Sequence, residues 1–244
     1  LDVRSYSGPI PGRVGTLMAQ VPLATTVSLP DAARAYRYQY STLDQHGRIA
    51  TSTAAVFIPK GTPPPGGWPV IAWAHGTTGL ADQCTPSALP RSARDHTYLG
   101  HWLQQGYAIV ASDYVGLGTP GLMPYLDGRT TAHNVVESVI AAQQLGQPLA
   151  RKWAIVGQSQ GGAGAMNAAR YATEFSRGSG LDYRGVVGTG VPTNLEYIFE
   201  QVGPSVPPLT LPAALNVYTA YLYAGFADAR PAVDIAGALT EKGR

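Results

Sequence analysis

Charge is scarce in this chain: only 13% of its 244 residues are Asp, Glu, Lys or Arg, against about 25% in an ordinary globular protein. The 17 basic and 15 acidic residues leave a net charge of +2 with no basic run, which argues against nucleic acid as a partner. Long apolar runs are lacking as well. None reaches the ~18 residues that a bilayer span requires, so no transmembrane segment is expected. Cysteine is nearly absent, and Cys84 stands as a single odd thiol. No signal peptide is visible, and the chain opens on Leu1 instead of Met; the expectation is a secreted protein whose leader has been removed. Glycine and proline, by contrast, are plentiful at 29 and 20 residues. They imply frequent turns, while a hydrophobic content of 45% excludes a disordered chain. The length suffices for one α/β domain, with or without a cap.

The chain is organised around Trp153 to Tyr171, which reads as a buried strand, a tight turn and a helix of small residues. At the turn, Gly157-Gln158-Ser159-Gln160-Gly161 matches the G-x-S-x-G nucleophile elbow. A serine on such a turn takes a strained backbone conformation that lifts its hydroxyl beyond the sheet. Gly157 and Gly161 flank it because side chains there would strike the neighbouring strand and helix. The helix that follows aims free N–H groups and its positive end at the place where an oxyanion would form. The competing reading, a glycine-rich phosphate turn, requires G-x-x-x-x-G-K-[ST] or G-x-G-x-x-G, and this turn has neither. Ser159 is therefore the expected nucleophile.

Taken in order, residues 1–30 contain repeated Pro and Gly and read as an extended arm. Ala35 to Tyr40 and Thr51 to Ile58 form a β-hairpin about Asp44-Gln45-His46-Gly47-Arg48. Trp68 to Ala74 is a short apolar run, the expected central parallel strand. His75-Gly76-Thr77-Thr78-Gly79 follows at its carboxyl end, where an acyl hydrolase places a backbone donor of its oxyanion hole. The other donor would come from Gln160. His75 itself is better read as a structural histidine. A helix over His96 to Gln105 stops at Gly106, and Tyr107 to Ser112 is the next strand. Asp113, at that strand's end, is expected to tie its own loop through backbone N–H groups; the alternative is a catalytic acid. A helix over Thr130 to Leu145 carries Val135, Val139 and Ala142 on one stripe. After the elbow and its helix, a sixth strand falls near Tyr183 to Gly188. This alternation calls for a mostly parallel sheet. Past Gly190 the chain turns Pro-punctuated, apolar and helical, with Leu211, Leu215, Tyr218 and Leu222 on one face and Tyr221, Tyr223 and Phe226 off it. The expected division is a hydrolase core over 1–190 and an incomplete helical cap over 191–244.

The elbow, the His75–Gly79 loop with Cys84-Thr85-Pro86-Ser87 behind it, and Asp113-Tyr114-Val115-Gly116-Leu117-Gly118, in this order, together resemble the secretory lipase family of α/β-hydrolases. The resemblance runs from about Pro11 to the chain end. It implies secreted enzymes that cleave carboxylic esters, with a helical cap after the sixth strand and no metal or organic cofactor. By that likeness Ser159 is the nucleophile, and the oxyanion donors are the backbone N–H groups of Gln160 and Thr78, with Thr77 in its place if the loop register differs by one. The family triad continues with an Asp and a His after the cap. Here all five histidines, His46, His75, His96, His101 and His133, precede Ser159, and the last two strands of the fold are lacking. The resemblance therefore implies the N-terminal part of an enzyme, and the basic ending Glu241-Lys242-Gly243-Arg244, in a cap loop where nicking is tolerated, leads to the expectation of a precursor cut after Arg244 whose C-terminal fragment completes it. In the family, a cysteine at the place of Cys84 pairs with one near the end of the cap, which implies an interchain disulfide. The expected substrate is an ester with an apolar acyl group. A serine amidase or peptidase, or a non-catalytic binding protein on the same scaffold, remains open.

Overall fold

The computed structural model describes residues 1–201, 212–239 and 241. Seven strands form one open sheet in the order β1-β2-β3-β5-β4-β6-β7. β2 (Ala32–Leu43) and β3 (Ile49–Pro59) are the expected hairpin. Its turn is closed by the Asp44 carboxylate, which accepts the N–H groups of His46 and Arg48 at 2.9 Å each, while Gly47 supplies φ 70°. β4 (Trp68–Ala74), β5 (Ala108–Ser112), β6 (Leu149–Gln158) and β7 (Asp182–Thr189) run parallel to one another. β3 joins them antiparallel through β5, so five of the seven strands share one direction and only β1 and β3 oppose it.

One part of the sequence reading needs correcting. The amino-terminal arm is not merely laid on the body, because Leu17–Pro22 forms edge strand β1, antiparallel to β2. Gly15, at φ 70° with Ile140 where a Cβ would sit, turns the chain into that pairing. The alternation of this short strand is too weak to be heard among its prolines.

Period-two side chains divide the core between the two faces of the sheet. On one face Val70, Ala72, Ala74, Val110 and Ile155 pack under α2 (Gly128–Ala142) and α3 (Gln160–Phe175), with Val135, Val139, Ala165 and Ala168 fully buried between them. On the other, Ile71, Trp73, Ile109 and Val156 pack under α1 (Ala93–Gln104) through Leu99 and Leu103. Each such large side chain contributes about 1.5–3 kcal/mol by leaving water. Buried Tyr38 and Tyr40 pin α2 to β2, their hydroxyls donating to the carbonyls of Ser138 at 2.8 Å and Asn134 at 2.9 Å. Caps fix the helix starts: Ser92 Oγ accepts the Asp95 N–H and Asp127 Oδ1 the Thr130 N–H.

Beyond β7 lie helices α4 (Leu195–Gln201) and α5 (Ala213–Ala229). The apolar stripe read from the sequence meets the body only in part, through Leu222. Leu215 and Tyr218 are 47% and 41% exposed, and the contact is made by Tyr221, Leu222 and buried Gly225. Gly225 lets the helix lie close to the Tyr125 backbone, which an added Cβ would approach to 3.0 Å. Leu211 and residues 242–244 lie outside the described residues. β4 sits between β5 and β6, so the carboxyl ends of all three open on one crevice, the place where α/β sheets bind ligands.

Candidate active site

The turn from β6 into α3 holds Ser159 at φ 56° and ψ −123°, outside every region a non-glycine residue favours, at a cost of order 1–3 kcal/mol. The strain is held from both sides. Ser159 N–H donates to the Thr189 carbonyl on β7 at 2.9 Å, and the Ser159 carbonyl accepts the Ala163 N–H at 3.0 Å. A Cβ on Gly157 would collide with the Gly161 carbonyl, and one on Gly161 with the Ala74 and His75 carbonyls at the end of β4 and just beyond it. The two glycines thus let strand, turn and helix close on each other, as the pentapeptide spacing requires. Gln160 opens α3, so its backbone N–H has no intrahelical acceptor. Its side chain is buried with Nε2 3.8 Å from Met123 Sδ.

The His75–Gly79 loop lies beside this serine. A Cβ on Gly76 would sit 3.6 Å from Ser159 Cβ, and Thr77, Thr78, Gln158 and Ser159 line one cavity of about 420 Å³. Thr78 is exposed and Thr77 half-buried, with Thr77 Oγ1 and the Tyr125 hydroxyl 2.8 Å apart. Tyr125 in turn meets Tyr221 of α5 edge-on, ring centroids 5.6 Å apart. Gly79, at φ 135°, carries Cys84 directly against it, and a Cβ there would be 3.1 Å from Cys84 Cβ. Cys84 is half-buried, with a free thiol.

His75 is buried, with Nδ1 2.7 Å from the Gly76 carbonyl and Nε2 3.2 Å from the Asp113 carbonyl. Burial lowers its pKa, an effect only partly opposed by the carbonyls and the Asp113 charge. The neutral ring has one N–H, which donates to one of these carbonyls, and both ring nitrogens are turned to backbone carbonyls and neither to Ser159. His133 is equally committed. Its Nδ1 is 2.8 Å from Glu137 Oε1, and its ring stacks on Phe175 at 3.8 Å. His46 lies 3.3 Å from Asp228. No histidine hydrogen-bonds Ser159 among the described residues.

Asp113 is structural, but not in the way its position in sequence suggests. Its carboxylate accepts from Ser87 N–H at 2.8 Å, Thr53 Oγ1 at 2.6 Å and Ser87 Oγ. It thereby ties the short 3-10 turns behind the His75 loop to β3, not its own loop. That loop is held instead by Ser112 Oγ, Asn134 Oδ1 and Thr119 Oγ1, which accept the N–H groups of Tyr114, Val115 and Gly116 at 2.9–3.1 Å. The run Gly116 to Gly121 has the G-x-G-x-x-G spacing, but it lies in an irregular loop and opens no helix. No cluster of three or more His, Cys, Asp or Glu is placed to hold a metal among the described residues. Likewise, among them no helix is long and apolar enough to cross a membrane.

The roles of two residues of the site escape the sequence. Tyr114, at φ 70°, stacks on His75 and hydrogen-bonds its carbonyl at 3.0 Å. Arg91, buried in the cavity wall, makes no motif at all.

Comparison with known proteins agrees with this architecture. The structure of lipase A from Candida antarctica in its closed state matches with a TM-score of 0.73 at 19% identity, over 94% of this chain and 53% of that one. The rice cell wall degrading esterase LipA from Xanthomonas oryzae matches with 0.61 at 27% identity, over 77% of this chain and 53% of its own. A putative hydrolase from Legionella pneumophila matches with 0.68 at 20% identity, over 88% and 62%. The chain thus spans about half the length of the first two, and the shared fold is that of the α/β-hydrolases. A search of curated protein sequences gave no match. The profile of the secretory lipases matches residues 91–228, more than half of the sequence and inclusive of the Ser159 turn: the chain belongs to the secretory lipase family.

Proposed function

We propose that this chain is the nucleophile-bearing part of a secreted carboxylic ester hydrolase, a lipase or esterase. The observation that carries the reading is Ser159 held at φ 56° between Gly157 and Gly161, with the start of α3 behind it. Ser159 Oγ attacks the ester carbonyl. The backbone N–H groups of Gln160 and Thr78 hold the oxyanion, the alcohol leaves, and water then cleaves the acyl-serine to release the acid. The base is a histidine, oriented by an aspartate, from a carboxy-terminal fragment beyond residue 244. Two findings support that partner: the relatives are nearly twice as long, and the outer side of β7 pairs with no strand among the described residues, with Val187 53% exposed. On this reading residues 191–244 belong to a cap over the crevice, α5 reaching the His75 loop through Tyr221, Tyr125 and Thr77. The exposed apolar side chains of α5 suit esters with short to medium apolar acyl groups.

The test is Ser159→Ala in the full-length protein. Hydrolysis of p-nitrophenyl esters and labelling by an organophosphate should both vanish, and retention of either would sink the assignment. Cys84 is proposed to form a disulfide to the carboxy-terminal fragment, which non-reducing electrophoresis decides: a fragment of 25.6 kDa running alone without reductant rules it out. The lack of any histidine on Ser159 favours a second reading, a binding protein on the hydrolase scaffold. It requires that Ser159 stay unlabelled with the whole protein present.

A further inference from the structure

Arg91 is a cation buried without an acceptor. It is 8% exposed, and its Nε and Nη2 atoms are enclosed with no hydrogen-bond partner among the described residues. The guanidinium carbon lies 5.3 Å from the centroid of the Phe57 ring, a contact that supplies no acceptor for these N–H groups. Such donors, charged and unpaired in an interior, are costly to maintain.

The nearby acids do not meet them. The Asp113 carboxylate is taken up by Ser87 and Thr53, and Asp95 pairs with Arg94 at 3.2 Å. Arg37, 9% exposed, donates to the same Ser87 and Thr53 hydroxyls, so two buried arginines stand against one buried carboxylate. α1 starts at Ala93, two residues beyond Arg91 and behind the Ser92 cap, and its N-terminal turn brings partial positive charge near this wall. The wall belongs to the cavity that Ser159 and Thr78 line.

We propose that Arg91 anchors a carboxylate-binding subsite in the cavity beside Ser159. The ligand group is a carboxylate, either on the non-reacting end of a half-ester substrate or on the free acid released by hydrolysis. The identity of the ligand rests on the ester-hydrolase reading; the binding of a carboxylate does not. A guanidinium N–H, with Nη1 the nitrogen that is not enclosed, makes a charge-assisted bond to a carboxylate oxygen, and such a bond changes affinity about 10- to 100-fold. No bond is made or broken at Arg91, which binds and orients.

The experiment uses the full-length protein. In a Ser159→Ala background, which prevents turnover, calorimetric titration compares monomethyl glutarate with neutral dimethyl glutarate. The expected result is tighter binding of the anion, and a 10- to 100-fold loss of that preference in Arg91→Met. Arg91→Gln, a milder change of packing, should give the same loss, and Arg91→Lys should keep part of the preference. With Ser159 present, kcat/KM for p-nitrophenyl hemiglutarate over p-nitrophenyl valerate is measured in wild type and Arg91→Met. A fall in that ratio identifies a half-ester substrate. An unchanged ratio with weaker inhibition by valerate identifies the product acid. Equal affinity for monomethyl and dimethyl glutarate in the arginine-bearing protein overturns the subsite. Charge-dependent binding without turnover of any ester overturns the hydrolase reading alone.

Discussion

Tyr114 lies over His75 with ring centroids 4.2 Å apart and planes 22° from parallel, and its hydroxyl donates to the carbonyl of the same histidine at 3.0 Å. One side chain from the β5 loop thus fixes both the ring and the backbone of the residue that opens the loop beside Ser159. Burial raises the pKa of this phenol, so it remains a donor throughout the working range.

Replacing Tyr114 by Phe keeps the stack and removes the donor. The His75 carbonyl is then left unsatisfied in the interior, at a cost of about 1–3 kcal/mol. Urea denaturation should show that loss. If the loop supplies an oxyanion donor, kcat should fall while KM stays nearly level. A variant as stable and active as wild type would show the Tyr114 hydroxyl to be dispensable.

Gly161 has the Ala74 and His75 carbonyls where a side chain would go, whereas Gly12 has open space around it and no left-handed φ. Gly161→Ala should therefore force α3 off β4 and destabilise by roughly 3 kcal/mol or more. Gly12→Ala should be neutral or stabilise by a few tenths. Thermal melts of the two variants make the comparison, and equal melting temperatures would contradict it.

At Thr78 the predicted donor is the backbone, since the side chain is exposed. Thr78→Ala should be mild. Thr78→Pro removes the N–H and should lower kcat by roughly 10²–10³, the usual effect of losing one such donor. An unimpaired Thr78→Pro enzyme would move the donor to Thr77.

His75 makes the fold sensitive to acid. Its folded pKa is lowered from 6.5, chiefly by burial, so below 6.5 the unfolded chain binds a proton that the folded one refuses. The stability it contributes is fully present above pH 6.5 and is lost as pH falls toward and through the lowered folded value. Stability of the wild type should decline more steeply with acidification in that window than that of His75→Gln. Parallel pH profiles would show that His75 does not titrate with unfolding.

The sequence by itself determined the elements whose signals are local. Alternation and glycine spacing decide that Trp153 to Val156 enters a sheet, that Ser159 sits on a strained turn and that small residues follow it. Val135, Val139 and Ala142 place the buried face of α2 because a helix repeats every 3.6 residues whatever lies beneath it. Contacts between distant segments were decided only by the tertiary structure. Sequence patterns say which residues are apolar, not which neighbour is close enough to touch. On α5, Gly225 lies against the Tyr125 backbone, and Tyr221, off the apolar stripe of the sequence, packs against the body while Leu215 of the stripe stays exposed. Asp113 finds Ser87 and Thr53, 26 and 60 residues away, sooner than its own loop, because β3 and β5 are hydrogen-bonded neighbours in the sheet. Arg91 carries no motif. What distinguishes it is the absence of an acceptor around a buried guanidinium, and that exists only once β3, α1 and the turns behind the His75 loop have closed around it.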